Sequence, residues 1–172
     1  GIDEENIAGF IIGWGMNQIQ RFYKGELPPN EQTYPVETVV RSTFQEMVMD
    51  EREKDVFLYI WAAKCPFCDK LTPEFEKLAL LLRKEERIKL LKINGYENEL
   101  DFEIEGYPTL ILYPAGPKKK KIIYTEKTRS LGEMIQFLQK NLPYPPEIEL
   151  DSDLVNVKDF DLDDLQLPKE EF

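Results

Sequence analysis

Cys65 and Cys68 are the only thiols in the chain, and Pro66 and Phe67 stand between them. An apolar run, Val56-Phe57-Leu58-Tyr59-Ile60-Trp61, leads into the pair, and an amphipathic helical pattern over residues 71–82 leads out. Two cysteines at this spacing, fed by a strand and opening a helix, suit thiol–disulfide exchange. The first turn of a helix carries partial positive charge and free N–H donors, and both favour a thiolate over a thiol. The competing readings are a purely structural disulfide or two buried free thiols.

Composition narrows the chemistry further. The chain has no histidine, which excludes Ser-His-Asp and Cys-His catalysis, and two thiols alone do not complete the usual four-ligand zinc site. No cofactor is called for and no metal site is expected at the cysteines. A net charge of −11 argues against nucleic acid as a partner. No apolar run reaches the roughly 18–20 residues that span a bilayer. At 42% hydrophobic, the 172 residues can build the core of one ordinary domain with appendages. The opening on Gly1, with no basic-then-apolar leader, is the pattern of a cut or processed product.

The elements that must position the thiols are legible around them. Residues 36–40 read as a short strand, and Ser42 as the N-cap of a helix to about Met49, with Gln45 at the capping-box offset. Residues 56–61, apolar throughout, read as a strand buried on both faces. The next helix starts near Cys65, with Pro66 in its first turn, where a missing N–H costs nothing. Pro73 is expected to kink that helix, whose inner stripe is Leu71, Phe75, Leu78, Leu81 and Leu82. Residues 88–93 form another strand ending at Asn94-Gly95, and residues 98–103 suit a short helix. Gly106-Tyr107-Pro108 breaks the chain before two strands, 109–113 and 121–124, joined as an antiparallel hairpin. Ser130 caps a last helix with Leu131, Met134, Ile135 and Leu138 on its inner face. The alternation of strand and helix implies parallel pairing through right-handed crossovers, so the fold is α/β, a mixed sheet with helices on both faces.

The flanks read differently. Residues 1–24 are predicted helical, with Ile7, Phe10, Ile11, Trp14 and Phe22 near one face, although Gly9, Gly13 and Gly15 weaken the pattern. This helix either docks on the main domain or is the last helix of a preceding one. Residues 25–35, with three prolines and two acids, form a linker. Residues 143–172 form an acidic tail predicted to be disordered. From Glu147 onward the tail has ten acids and two lysines, net −8, which leaves −3 of the total −11 for the other residues. The lysine run from 118 to 121 follows Gly116-Pro117 and reads as a solvated turn rather than a phosphate or partner site.

Three features taken in order carry a family resemblance: the strand into Cys65-Pro66-Phe67-Cys68, then Gly106-Tyr107-Pro108-Thr109, then Thr128-Arg129 ahead of the last helix. Residues 36–142 resemble a thioredoxin-fold domain. With the leading helix, the Gly-Glu-Leu-Pro linker and the tail, the chain is similar to the last catalytic (a′-type) domain of a protein disulfide isomerase. The resemblance implies that Cys65 is the exposed attacking thiol and Cys68 the buried resolving one. It implies that Pro108 is a cis-proline and that backbone groups of Tyr107 pair with an extended substrate. Arg129 would approach Cys68 and lower its pKa when a mixed disulfide is resolved. It also implies unfolded or disulfide-containing protein substrates, an upstream thiol oxidase or glutathione as redox partner, and the endoplasmic reticulum lumen as location. Lys169-Glu170-Glu171-Phe172 loosely echoes a luminal retrieval signal, and the family's acidic tails bind calcium weakly.

Departures from the family pattern bear on rate and potential. Pro66-Phe67 replaces the usual Gly-His and comes closer to a glutaredoxin pattern. Lys64 replaces a Trp, so Cys65 relies on the helix N-terminus and on Lys64. Tyr59 stands where the family places a buried carboxylate that takes the proton of the resolving thiol, and a phenol of pKa near 10 is a poor base at neutral pH. The carboxylate's partner lysine is retained as Lys92, expected to be neutral or turned to solvent. Three functions follow: a thiol–disulfide oxidoreductase or isomerase of secretory proteins, a chaperone-like binding module with weak redox activity, or a glutaredoxin-like reductase.

Overall fold

Residues 4–16, 22–32, 35–117 and 120–146 are described in a computed structural model of the chain. The elements are α1 (Glu4–Gly15), β1 (Glu37–Thr38), α2 (Arg41–Phe44), β2 (Asp55–Trp61), α3 (Pro66–Leu81), β3 (Ile88–Asn94), β4 (Thr109–Tyr113), β5 (Ile122–Ile123) and α4 (Leu131–Asn141). The sheet order is β1-β3-β2-β4-β5. β1 and β2 run parallel to β3, while β4 is antiparallel to β2 and β5.

The central place of β2 follows from its residues. An apolar side chain at every position from Val56 to Trp61 leaves no face for water, and a strand with two neighbours and helices on both sides satisfies that. Alternation then divides its side chains. Phe57 and Tyr59 enter the core shared with Leu71, Phe75 and Leu78 of α3 and with Met134 and Leu138 of α4. Val56, Leu58 and Ile60 enter the opposite core with Phe44 and Val48. Each such fully buried side chain contributes about 1.5–3 kcal/mol. Tyr59 is therefore directed toward α3, the helix that carries the cysteines.

Several expectations shift at their edges. The second helix begins at Arg41 rather than after Ser42, because Val40 is the N-cap and its N–H is taken by the Thr43 hydroxyl at 3.2 Å. It then widens into a π-helical segment, Gln45–Met49, closed by the Asp50 N–H on the Gln45 carbonyl. The helix expected over 98–103 is absent. Asn98 is 1% exposed, and its side chain accepts the N–H groups of Glu26 and Arg41 and donates to the Asn94 carbonyl and the Glu26 carboxylate. A side chain spent on three tertiary hydrogen bonds and one local one holds an irregular loop instead of a helix. Residues 22–24 are not helical, and Ile7, Ile11 and Ile12 of α1, with Met16 just after it, are exposed. Ser130 does cap α4, in a reciprocal box with Glu133. Tail residues 147–172, with their calcium and retrieval readings, lie outside the described residues, as do Lys118 and Lys119.

Candidate active site

β2 delivers the chain to a short loop, residues 62–64, which ends at Cys65 in the N-cap position of α3. Pro66 occupies the first helical position, where its fixed φ suits the helix and its missing N–H is no loss. Cys65 and Cys68 are joined as a disulfide with Cα atoms 5.2 Å apart. The Cys68 N–H donates to Cys65 Sγ at 3.1 Å, and the Cys65 carbonyl accepts from the N–H groups of Cys68 and Asp69. The Cys65 sulfur thus takes the place of a capping oxygen at the positive end of a 16-residue helix, a place that stabilises a thiolate once the disulfide opens. Cys65 is the more accessible sulfur residue, at 9% against 3% for Cys68, though both are largely covered in the disulfide form.

Beneath the pair the site is aromatic. The Tyr59 hydroxyl donates to the Cys68 carbonyl at 3.1 Å, and the Thr72 hydroxyl donates to the same carbonyl at 2.9 Å. The two hydroxyls lie 3.2 Å apart. The Tyr59 ring packs on Phe75 at 5.2 Å between centroids. Burial raises the Tyr59 pKa, the contact with Thr72 opposes that, and the carboxylates of Asp69 and Glu76 raise it further. The phenol is therefore a weaker acid than usual and stays protonated at neutral pH. Lys92 is the direct register neighbour of Tyr59 on β3, is partly exposed, and lies 3.9 Å from the Glu76 carboxylate. Tyr59, Lys64, Cys68, Asp69, Thr72 and Lys92 wall a cavity of about 240 Å³ next to the resolving cysteine.

The rim differs. Lys64 is exposed and left-handed, with φ of 60°. A non-glycine residue held there costs on the order of 1 kcal/mol, and such positions gather at functional sites. Phe67 is 69% exposed. The Tyr107–Pro108 peptide bond is cis. Because Ile60 pairs with Thr109, Pro108 lies at the same end of the sheet as Trp61 and the cysteine loop. Tyr107 is partly buried against both cores. Its ring lies so near Gly95 that a Cβ there would sit 2.9 Å from Tyr107 Cε1 and 2.6 Å from Ile60 Cγ2, so only glycine fits. Arg129 sits by Tyr124 and is not on the walls of the cavity beside Cys68. Its Nε is buried with no hydrogen-bond partner among the described residues.

Sequence reasoning missed Thr72, Asp69 and Glu76. Thr72 had a signal: a hydroxyl four residues after Cys68 on a helix bonds back to that residue's carbonyl. Asp69 and Glu76 carry no local signal, and only the packing of α3 over β2 and β3 brings them near Tyr59 and Lys92. Among the described residues no group of histidine, cysteine or acidic side chains is arranged to hold a metal. No described helix is long and apolar enough to cross a membrane.

The thioredoxin family profile matches residues 35–140. The chain is 33% identical to a protein disulfide-isomerase of Humicola insolens over 152 residues, which is 87% of this chain and 30% of that protein. It is 37% identical to protein disulfide-isomerase A2 of Homo sapiens over 123 residues, 71% of this chain and 23% of that protein. The chain thus spans between about a quarter and a third of the length of these curated relatives. Among solved structures, the first thioredoxin domain of mouse protein disulfide-isomerase A4 superposes with a TM-score of 0.54 at 24% identity, covering 69% of this chain and 86% of that one. The Trx4 domain of ERdj5 gives 0.52 at 20%, covering 64% and 96%. At these identities the structural matches speak for the fold.

Proposed function

Because the chain belongs to the thioredoxin family, we propose that it is a thiol–disulfide oxidoreductase of protein disulfide isomerase type, working through Cys65 and Cys68. The single observation that carries this is the Cys65–Cys68 disulfide seated at the N-terminus of α3, where the sulfur of Cys65 accepts a helix N–H. The Cys65 thiolate attacks a sulfur of a substrate disulfide, forming a mixed disulfide and releasing one substrate thiolate. The Cys68 thiolate then attacks Cys65 Sγ, closing the protein disulfide and releasing the second substrate thiolate. Run backwards, the same steps oxidise a dithiol substrate.

In this reading Tyr107 and cis-Pro108 present backbone to an extended substrate, and Lys64 and Phe67 form the rim that meets it. Arg129, with a buried Nε lacking a partner, is the cation that shifts toward Cys68 during resolution; its unsatisfied nitrogen supports a second position for the side chain. Substrates are unfolded or disulfide-containing secretory proteins, glutathione or a thiol oxidase resets the pair, and the work is done in the endoplasmic reticulum lumen. Weak calcium binding belongs to the acidic tail, and residues 1–24 to the end of a preceding domain.

Insulin reduction and refolding of reduced ribonuclease test the activity, with Cys65→Ser as control. Wild-type turnover with loss in the variant is expected, and equal rates would overturn the enzyme reading. The exposed Phe67 and the phenol at position 59 favour a second reading, a chaperone-like module with weak redox activity. Suppression of aggregation that survives Cys65→Ser, with no insulin reduction in wild type, would establish that one instead.

A further inference from the structure

Cys68 is 3% exposed, yet its thiol must lose a proton before it can attack Cys65. The groups that face it come from three elements and the loop before α3. Tyr59 lies on β2, Lys92 on β3, Lys64 on the loop, and Asp69 and Thr72 on α3 itself, all on the walls of the same cavity of about 240 Å³. Glu76 stands behind them and pairs with Lys92 at 3.9 Å. A proton acceptor must be a base at neutral pH. Ammonium groups have no acceptor, an aliphatic hydroxyl is far too weak a base, and a phenol buried as Tyr59 is holds its own proton. A carboxylate has free lone pairs at neutral pH, and Asp69 is the one carboxylate on the cavity wall. Polar groups of Tyr59, Lys64, Asp69, Thr72 and Lys92 share the walls with apolar surface from Trp61 and Ala62, and the space exceeds the roughly 30 Å³ that a water occupies.

Resting on the thiol–disulfide reading above, we propose that Asp69 takes the proton of Cys68, relayed through water in this cavity, when a mixed disulfide on Cys65 is resolved. The Cys68 S–H bond breaks and the proton passes through water to the Asp69 carboxylate. Cys68 Sγ attacks Cys65 Sγ, the Cys65–substrate S–S bond breaks, and the substrate leaves as a thiolate that is protonated from solvent. Lys92 and Lys64 are cations that ease formation of the Cys68 thiolate, and Glu76 holds Lys92 in place.

Charge alone predicts the opposite of this proposal for one variant. Replacing Asp69 by Asn removes a negative charge from the cavity beside Cys68, which by electrostatics makes the Cys68 thiolate easier to form and speeds its attack. As a proton acceptor, its loss slows resolution. The reduced 172-residue chain is mixed with glutathione disulfide, quenched by alkylation, and the glutathionylated intermediate is followed by mass. Asp69→Asn is expected to slow closure on the order of 100-fold at pH 7, so that the intermediate accumulates. Its closure rate should follow hydroxide, rising about tenfold per pH unit, where wild type is flatter. Asp69→Glu should restore most of the rate. In a Cys68→Ala background, where only the first step occurs, Asp69→Asn should glutathionylate at the Cys68→Ala rate or faster. Closure by Asp69→Asn at the wild-type rate, or an equal slowing of both steps with an unchanged pH profile, overturns the proposal. If wild type itself never forms the glutathionylated species, it is the oxidoreductase reading that fails.

Discussion

The rim and the floor of the cysteine site both draw on β2 and α3, yet they handle polarity in different ways. At the rim, Cys65 takes up the N-terminal field of a long helix beside the cis Tyr107–Pro108 bond, with Phe67 turned to solvent. At the floor, a phenol and a threonine hydroxyl converge on the Cys68 carbonyl and a lysine is paired to Glu76. The rim needs only backbone geometry and a helix dipole, which almost any side chains deliver. The floor needs a base, and β2 supplies an aromatic ring there instead. On the proposed reading, attack by Cys65 and resolution by Cys68 are separable steps, and the second is the one expected to limit turnover.

The largest effects separate the two halves outright. Cys65→Ser should reduce insulin turnover to background, because nothing at the floor can start the reaction. Cys68→Ser should still attack but stall, leaving a stable mixed disulfide that non-reducing gels detect. A Cys68→Ser protein that forms no adduct breaks the comparison.

Tyr59→Glu comes next. A carboxylate under Cys68 should speed oxidase turnover by about tenfold, while loss of the Phe75 contact and burial of an acid should lower stability by about 2–4 kcal/mol. Stopped-flow kinetics and urea unfolding of the same preparation read both, and an unchanged rate counts against a limiting floor. Tyr59→Phe sharpens the point from the other side. It removes the hydroxyl but leaves the Thr72 bond to the Cys68 carbonyl, so it should cost about 1 kcal/mol and leave the resolution rate unaltered.

The smallest effect is one of pH. Burial pushes Tyr113 up to about 12, and burial followed by the nearby Glu133 and Glu126 pushes Tyr124 up to about 12. Unfolded phenols ionise near 10, so a folded-state value above that means stability is fully present below about pH 10 and is lost as pH rises toward 12. Chemical denaturation at pH 8 to 11.5 should show a flat midpoint that falls only above about pH 10.

Much of the rim was legible in the sequence. The apolar run into Cys65, Pro66 at the first helical position, the Tyr107-Pro108 turn and the Ser130 cap all report local chemistry, which neighbouring residues determine. The paired helices over β2 followed from its unbroken apolar pattern. The floor was only half legible. Tyr59 and Lys92 are placed under the cysteines by the family resemblance, and not by any pattern local to their strands. Asp69, Thr72 and Glu76 could not be placed, because a helix residue's tertiary neighbour depends on how α3 lies across the sheet. The same limit hid the loop at Asn98, where local preference for a helix lost to three long-range hydrogen bonds.

Everything above requires that Cys65 and Cys68 form a reversible redox couple rather than a fixed crosslink. Equilibration of the full chain against glutathione redox buffers, with the cysteines counted by alkylation, measures this directly. With no histidine to stabilise the Cys65 thiolate and a helix N-terminus retained, the predicted midpoint lies between about −270 mV, as in thioredoxin, and about −180 mV, as in protein disulfide isomerase. A pair that stays oxidised across the whole buffer range, or a midpoint above −180 mV, would contradict it.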